Sequence, residues 1–434
     1  MRIWSRIWSF LFLGYNLFGR SFAYLGVTPI FIGEFVLSTF LFFRPRAVFG
    51  RWASWLLSRR SNVFSTLAWS LLMFFFYGLI QVLLGFARGN DLFLSLQNLV
   101  FNVYPLYIFL GLEVGLRYTS LLRKIILLFA WFNGIYGILY IFVLNKLDIF
   151  LPWASDVSLF GQPTHSFVAI IGILVFESRI HHIWLPFLLN FFVLLGIQAR
   201  GEWLALIISL IVWAIIKGRL RSLVMFIISF LLLVSVLYIA DLRIPAPLQR
   251  GGEISVQGVV ARFVAPFNPE LAVALVGESA YSFAGTVTGW RIPWWVEIWQ
   301  AVNADLATSL LGFSYGYPLW NLSPANPEGV RTPHNIFFYT LGYTGWLGVL
   351  LFLLFLFSLI RSLYRASLYD PNGELSFIVS LGSSSSAIFG NYFETPYGAI
   401  PFYLLAGYGL SSLVRGVNKH AVPSNSQLLP ATRW

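Results

Sequence analysis

There is no cysteine in this chain, so it can form no disulfide, offer no thiolate nucleophile and hold no metal through sulfur. Charge is almost as scarce. Asp, Glu, Lys and Arg make up 10% of the 434 residues, against roughly 25% in a soluble domain, too few to cover a water-facing surface. Some catalytic signatures are missing too: there is no Asp-x-Asp pair for a nucleotide-sugar metal, no His-Glu-x-x-His and no Gly-Lys-Ser/Thr phosphate loop. These gaps weigh against soluble enzyme folds, metalloproteolysis and ATP-driven transport.

What fills the space is apolar. Of all residues 58% are hydrophobic, with 43 Phe, 20 Tyr and 17 Trp, and the mean hydropathy is +0.77. Apolar runs long enough to cross a bilayer recur at 7–25, 28–44, 63–86, 92–114, 124–145 and 159–178, then at 182–199, 202–217, 222–240, 335–360, 374–391 and 396–414. The expected fold is therefore an all-α polytopic membrane protein with about twelve transmembrane helices. Ser21-Phe22-Ala23 only weakly imitates a signal-peptidase site, and the first run reads as an uncleaved helix.

The excess of 28 Lys and Arg over 17 Asp and Glu, a formal net charge of +11, then reads as a topology signal. With the N-terminus cytoplasmic, 19 of the 28 basic residues fall in inner segments, which is the positive-inside pattern. Both termini are predicted inside, and no nucleic-acid partner is expected. One long outer segment, 241–333, is near neutral, with seven acids and five arginines. The domains expected are a nine-helix bundle (1–240), a periplasmic loop with interfacial helices (241–333), three further helices (334–414) and a cytoplasmic tail (415–434) expected to be disordered. Membrane lipids are the surroundings this implies.

Ionisable residues at membrane depth cost roughly 2.5 to 3.5 kcal/mol even on lenient scales, so they are candidate functional groups. Arg200 is predicted to end the seventh span in Ala199-Arg200-Gly201-Glu202-Trp203, with Gly201 making the turn; an Arg200–Glu202 ion pair tightening that hairpin is the simpler alternative. Arg291 precedes Pro293, expected as the first residue of a helix over 294–306, and a guanidinium beside an open helix N-terminus suits an anion. His334 follows Arg331-Thr332-Pro333 at the mouth of the tenth span, with Thr332 as cap and Pro333 in the first turn. The helix end and nearby arginines would keep its imidazole neutral and able to take a proton. His165, inside the sixth span, reads as structural. Glu394 is close enough to join the site, whereas Glu34, Glu113 and Glu177 read as paired or interfacial, and His181 and His182 as loop residues. Trp290, Trp294, Trp295 and Trp299 suggest an interfacial helix, or aromatic anchoring alone. A base with two or more arginines and no metal ligands fits attack of a hydroxyl on a lipid-linked phosphate ester.

Three runs resemble the O-antigen ligase and O-antigen polymerase family: Ala199-Arg200-Gly201-Glu202-Trp203-Leu204-Ala205, with Ala199 and Glu202 as departures; Arg291 and Trp299 followed by Gly312-Phe313-Ser314-Tyr315-Gly316; and Pro333-His334-Asn335 followed by Gly342, Gly345 and Gly348. The likeness spans about 200–348. It implies a GT-C-like, inverting, metal-independent glycosyltransferase without cofactor. Its implied donor is a glycan on undecaprenyl pyrophosphate, and its acceptor lipid A core or another lipid-linked glycan. His334 would be the base and Arg200, Arg291 and, more weakly, Arg331 would hold the pyrophosphate, with Glu202, Asn335, Glu394 and Trp299 in support. The competing class is a transporter or channel for an anion, with Arg200 and Arg291 as selectivity charges. It lacks internal symmetry between the two halves.

Overall fold

The computed structural model describes residues 2–27, 30–57, 62–176, 183–247, 253–278, 281, 287–324 and 330–421; Glu177, His181 and His182 lie outside them. The first part of the chain forms α1 (Arg2–Ala23), α2 (Ile32–Phe43), α3 (Arg51–Leu56), α4 (Asn62–Ala87), α5 (Leu92–Val103), α6 (Tyr107–Arg117), α7 (Leu121–Phe142), α8 (Ser166–Phe176), α9 (Trp184–Ile197), α10 (Arg200–Ile216) and α11 (Leu220–Ile239). The long connection carries α12 (Val256–Val264), α13 (Pro269–Val276), α14 (Ile292–Val302) and α15 (Leu306–Leu311). The chain then runs through α16 (Ile336–Ser367), α17 (Pro371–Ser386) and α18 (Pro396–Ala421). Among the described residues strand is confined to three antiparallel pairs, 26–27 with 30–31, 150–151 with 154–158 and 244–245 with 253–254.

A helix stands at each of the twelve apolar runs, but they are unequal. Among the described residues six are long and apolar enough to cross a membrane: 63–87, 92–117, 121–142, 220–239, 336–367 and 396–417. The span expected at 92–114 is broken where Pro105 removes a backbone donor, and a 3-10 turn at Tyr104–Leu106 joins α5 to α6. In the run that opens at 159 the helix begins only at Ser166, because Gly161 and Pro163 leave the preceding residues irregular. The tail expected after Arg415 stays helical through Ala421; residues 422–434 lie outside the described residues.

Helix α18 runs through the centre and packs on α6, α1, α17 and α16. Trp8 of α1 is fully buried, stands 5.2 Å from the Tyr408 ring and donates its indole N–H to the Leu404 carbonyl at 3.4 Å. Helix α17 is serine-rich, and the run Ser383–Ser386 ends it; apart from Ser384 and Ser385, which are half-buried, these serines lie in the interior, where small side chains let helices approach closely. At the far edge α11 buries none of its residues, and an apolar helix so placed is suited only to lipid or a partner.

Gly345 explains the glycine run. With φ 63° and ψ −170° it interrupts α16, a conformation that glycine alone adopts cheaply. The carbonyls of Gly342 and Tyr343, freed by the kink, accept the backbone N–H groups of Phe313 and Ser314 at 2.9 and 3.0 Å. The same loop is held from the other side by Arg88 to the Gly312 carbonyl at 2.6 Å and Asn90 to the Phe313 and Tyr315 carbonyls at 3.1 Å. This docks the long connection onto α4, α5 and α16.

Candidate functional site

The α9–α10 hairpin is where the site begins. Gln198, not Gly201, makes the turn: its φ of 56° is left-handed, and its amide donates to the Glu253 carbonyl at 3.1 Å. Arg200 therefore opens α10 rather than ending a span, and Glu202 sits in the first turn. Gly201 serves contact, since a Cβ there would stand 2.8 Å from Ser386 Oγ. Arg200 donates from Nη1 to the Arg262 carbonyl at 3.2 Å, which ties the hairpin to α12. Glu202 is buried and its Oε2 has no hydrogen-bond partner.

Arg291 is held differently from expectation. A π-turn at Val287–Arg291 leads directly into α14, so Pro293 is the second helical residue and no helix N-terminus stands open beside the guanidinium. The side chain lies 5.1 Å over the Trp290 ring and donates to the Phe389 carbonyl at 2.9 Å. The helix expected over 294–306 ends at Val302 and restarts as α15, capped by Asp305 accepting from the Thr308 N–H at 2.9 Å.

His334 occupies the turn before α16 with φ 52°, an uncommon conformation for a residue with a side chain. Strain of this kind persists only where neighbours fix it. Here the Pro333 carbonyl accepts the Trp295 indole N–H at 2.7 Å, the Trp290 ring stands edge-on at 5.4 Å, and Asn335 caps α16 by accepting from Phe337 and Phe338. The cap is therefore Asn335 and not Thr332, whose hydroxyl donates to Asn391 at 2.8 Å. His334 precedes the helix instead of lying in its first turn.

These turns open onto one cavity of about 390 Å³. It is lined by the cationic Arg200, Arg262 and Arg291 together with His334. Hydrogen-bonding groups line it too: Ser158, Gln162, Thr164 and His165 from the connection between α7 and α8. Arg20 and Asp156 contribute a largely solvated ion pair of 2.7 Å, and Ser386, Asn391 and Tyr392 complete the lining. Among the described residues no group of three His, Asp or Glu side chains is arranged to hold a metal ion.

Four residues read from the sequence thus meet here: Arg200, Arg291, His334 and Glu202. Four others do not line the cavity. Arg331 is exposed, 5.9 Å over the Trp320 ring; Trp299 pairs edge-on with Trp346 at 5.6 Å; Asn335 is spent as a cap. Glu394 lies buried behind Tyr392, whose N–H it accepts at 3.0 Å, and burial pushes its carboxyl up to about 7, backbone hydrogen bonds opposing. Gly312–Gly316 spells Gly-x-Ser-x-Gly, yet Ser314 is fully buried with no partner for its hydroxyl, so no base activates it.

Two further residues escaped the sequence reading. Arg262 is one arginine among five in the long segment, and no local pattern marks it; it is 7% exposed in α12. His165 carried a readable signal, the Gly161 and Pro163 that break a span just before it. It is buried just before α8, its Nε2 stands 3.1 Å from the Tyr397 carbonyl of α18, and it lines the cavity as well as contacting that helix. A carbonyl only accepts, so Nε2 carries the hydrogen, and Nδ1 of the neutral ring is an acceptor with no partner among the described residues.

Residues 185–353 match the family model described as O-Antigen ligase. The match runs from α9 into the kinked part of α16 and includes Arg200, Arg262, Arg291 and His334. No curated protein matches the chain. The apolar helices mark a multi-pass membrane protein, and the matched segment carries the likeness to O-antigen ligases. With its histidine and three arginines, the matched segment is similar to the O-antigen ligase family over residues 185–353.

Proposed function

We propose that this protein transfers a glycan from undecaprenyl pyrophosphate to an acceptor hydroxyl at the periplasmic face of the bacterial inner membrane. The observation that carries the reading is the convergence of His334, Arg200 and Arg291 in one cavity from three separate turns. His334 takes the proton of the acceptor hydroxyl as its oxygen attacks the anomeric carbon. The bond from that carbon to the phosphate oxygen breaks, and its electron pair leaves on undecaprenyl pyrophosphate. A single displacement inverts the anomeric centre.

In this reading Arg200 and Arg291, joined by Arg262, neutralise the leaving group and take the part a divalent cation plays elsewhere. The hydrogen-bonding lining, with Gln162, Thr164 and the Nδ1 acceptor of His165, suits sugar hydroxyls. Lipid A core is the favoured acceptor, making the activity that of a ligase; a second lipid-linked glycan would make it a polymerase. The positive-inside pattern supports cytoplasmic termini and a cavity facing the periplasm.

The test is turnover by purified protein in nanodiscs, with undecaprenyl-pyrophosphate glycan as donor and EDTA present. A single gel shift of added lipid A core is expected, and its loss in His334→Ala. A ladder of longer glycans would assign polymerase instead. Full activity in the His334→Ala protein would sink the mechanism.

A further inference from the structure

At the end of the bundle away from the cavity, three arginines surround one carboxylate. Arg44 and Arg117 reach Glu113 Oε1 at 2.9 and 3.1 Å, and Arg51 stands 3.6 Å from Oε2. Two other carboxylates at this end each pair with a single cation, Asp370 with Arg415 at 2.8 Å and Glu374 with Lys217 at 2.7 Å. Glu113 is different: it is 5% exposed and faces three guanidinium groups with a single negative charge. Two like charges share one of its oxygens, and a further anion would relieve their repulsion. Arg51 Nη1 is buried and has no hydrogen-bond partner among the described residues, a deficit that is costly for a charged donor. Burial also holds the Arg51 guanidinium below its ordinary value, with Glu113 opposing and Arg117 adding to the effect.

The cluster is reachable. The three arginine side chains are 30%, 27% and 49% exposed for Arg44, Arg51 and Arg117. Phe42, Phe43 and Phe49, which flank Arg44 in sequence, expose most of their ring surface. A diffusible phosphate would gain nothing from those rings, whereas a lipid brings acyl chains to cover them. We propose that Arg44, Arg51 and Arg117 form a binding site for the phosphate headgroup of an anionic phospholipid, with its chains against Phe42, Phe43 and Phe49. A zwitterionic lipid fits less well, because its ammonium adds back the charge that the phosphate removes.

Native mass spectrometry of the full-length protein in detergent tests this, with phosphatidylglycerol and phosphatidylethanolamine of the same acyl chains as competing probes. Bound phosphatidylglycerol should exceed phosphatidylethanolamine at least about fivefold, and millimolar inorganic phosphate should not displace it. Arg51→Gln should bring the two lipids to parity. Arg117→Gln, a change at the most exposed arginine, serves if the Arg51 variant fails to fold. Equal occupancy in the wild type, displacement by inorganic phosphate, or undiminished preference in a folded variant would each overturn the proposal.

Discussion

Raising the pH through neutrality should weaken this fold at one identifiable carboxyl. Glu394 is 8% exposed in the connection between α17 and α18, and burial pushes its carboxyl from an ordinary 4.5 to about 7. Below 4.5 both the folded and the unfolded chain hold the proton, so nothing is lost. Between 4.5 and 7 the unfolded chain releases it while the folded one keeps it, and each pH unit then costs the fold about 1.4 kcal/mol. Across that interval the loss approaches about 3 kcal/mol, and above 7 it levels off. In Glu394→Gln the side chain stays neutral and still accepts from the Tyr392 N–H. The assay is thermal unfolding of detergent-solubilised wild type and variant from pH 4.5 to 8.5, followed by tryptophan fluorescence. Other carboxyls tilt both curves alike, so the difference between the two proteins isolates Glu394. The variant should gain on the wild type by about 3 kcal/mol over that range; parallel curves would refute the argument that burial controls this group.

Replacing His334 by Ala should lower kcat by about 10²- to 10⁴-fold, the usual share of a general base, while retaining binding of the lipid-linked donor measured by equilibrium titration. Lysine at Arg200 or Arg291 keeps the charge but loses the planar fork, and each change should reduce kcat/KM at least about tenfold. Arg331→Ala, at a side chain stacked on Trp320 outside the cavity, should leave kcat/KM within about twofold of wild type in the same assay. Gly345→Ala should destabilise by about 2 kcal/mol or more, seen as a lower Tm, because φ 63° penalises a side chain and its Cβ would meet the Leu310 carbonyl.

The helices α4, α7, α11 and α16 were legible because their apolar runs are long and unbroken, and length against bilayer thickness is a strong signal. Chain breaks were harder to place. Pro105 and Pro163 sit inside runs whose hydropathy stays high, so a window average passes over the point where the backbone changes. His334, Arg200 and Arg291 stood out as rare charged or titratable residues beside turn signals. Arg262 and Arg20 did not, since what makes them part of the cavity is tertiary: α12 folding back onto the α9–α10 turn, and the end of α1 meeting the hairpin at 150–158. The caps were misplaced for a related reason. Thr332 and Asn335 are both good capping residues, and only the left-handed turn at His334 decides between them.

The contact between α1 and α18 bears on how the protein is made. The indole of Trp8 in α1 is bonded to the backbone of α18, almost four hundred residues later, and the cavity takes Arg20 from one and Tyr397 from the other. During synthesis α1 reaches the bilayer long before its partner exists, and long-range pairing of this kind is slow to form. The earlier helices must wait in the membrane with that face unmatched. The cavity is completed only when α18 slots in, so a nascent chain has the arginines of the site but no closed chamber in which to use them.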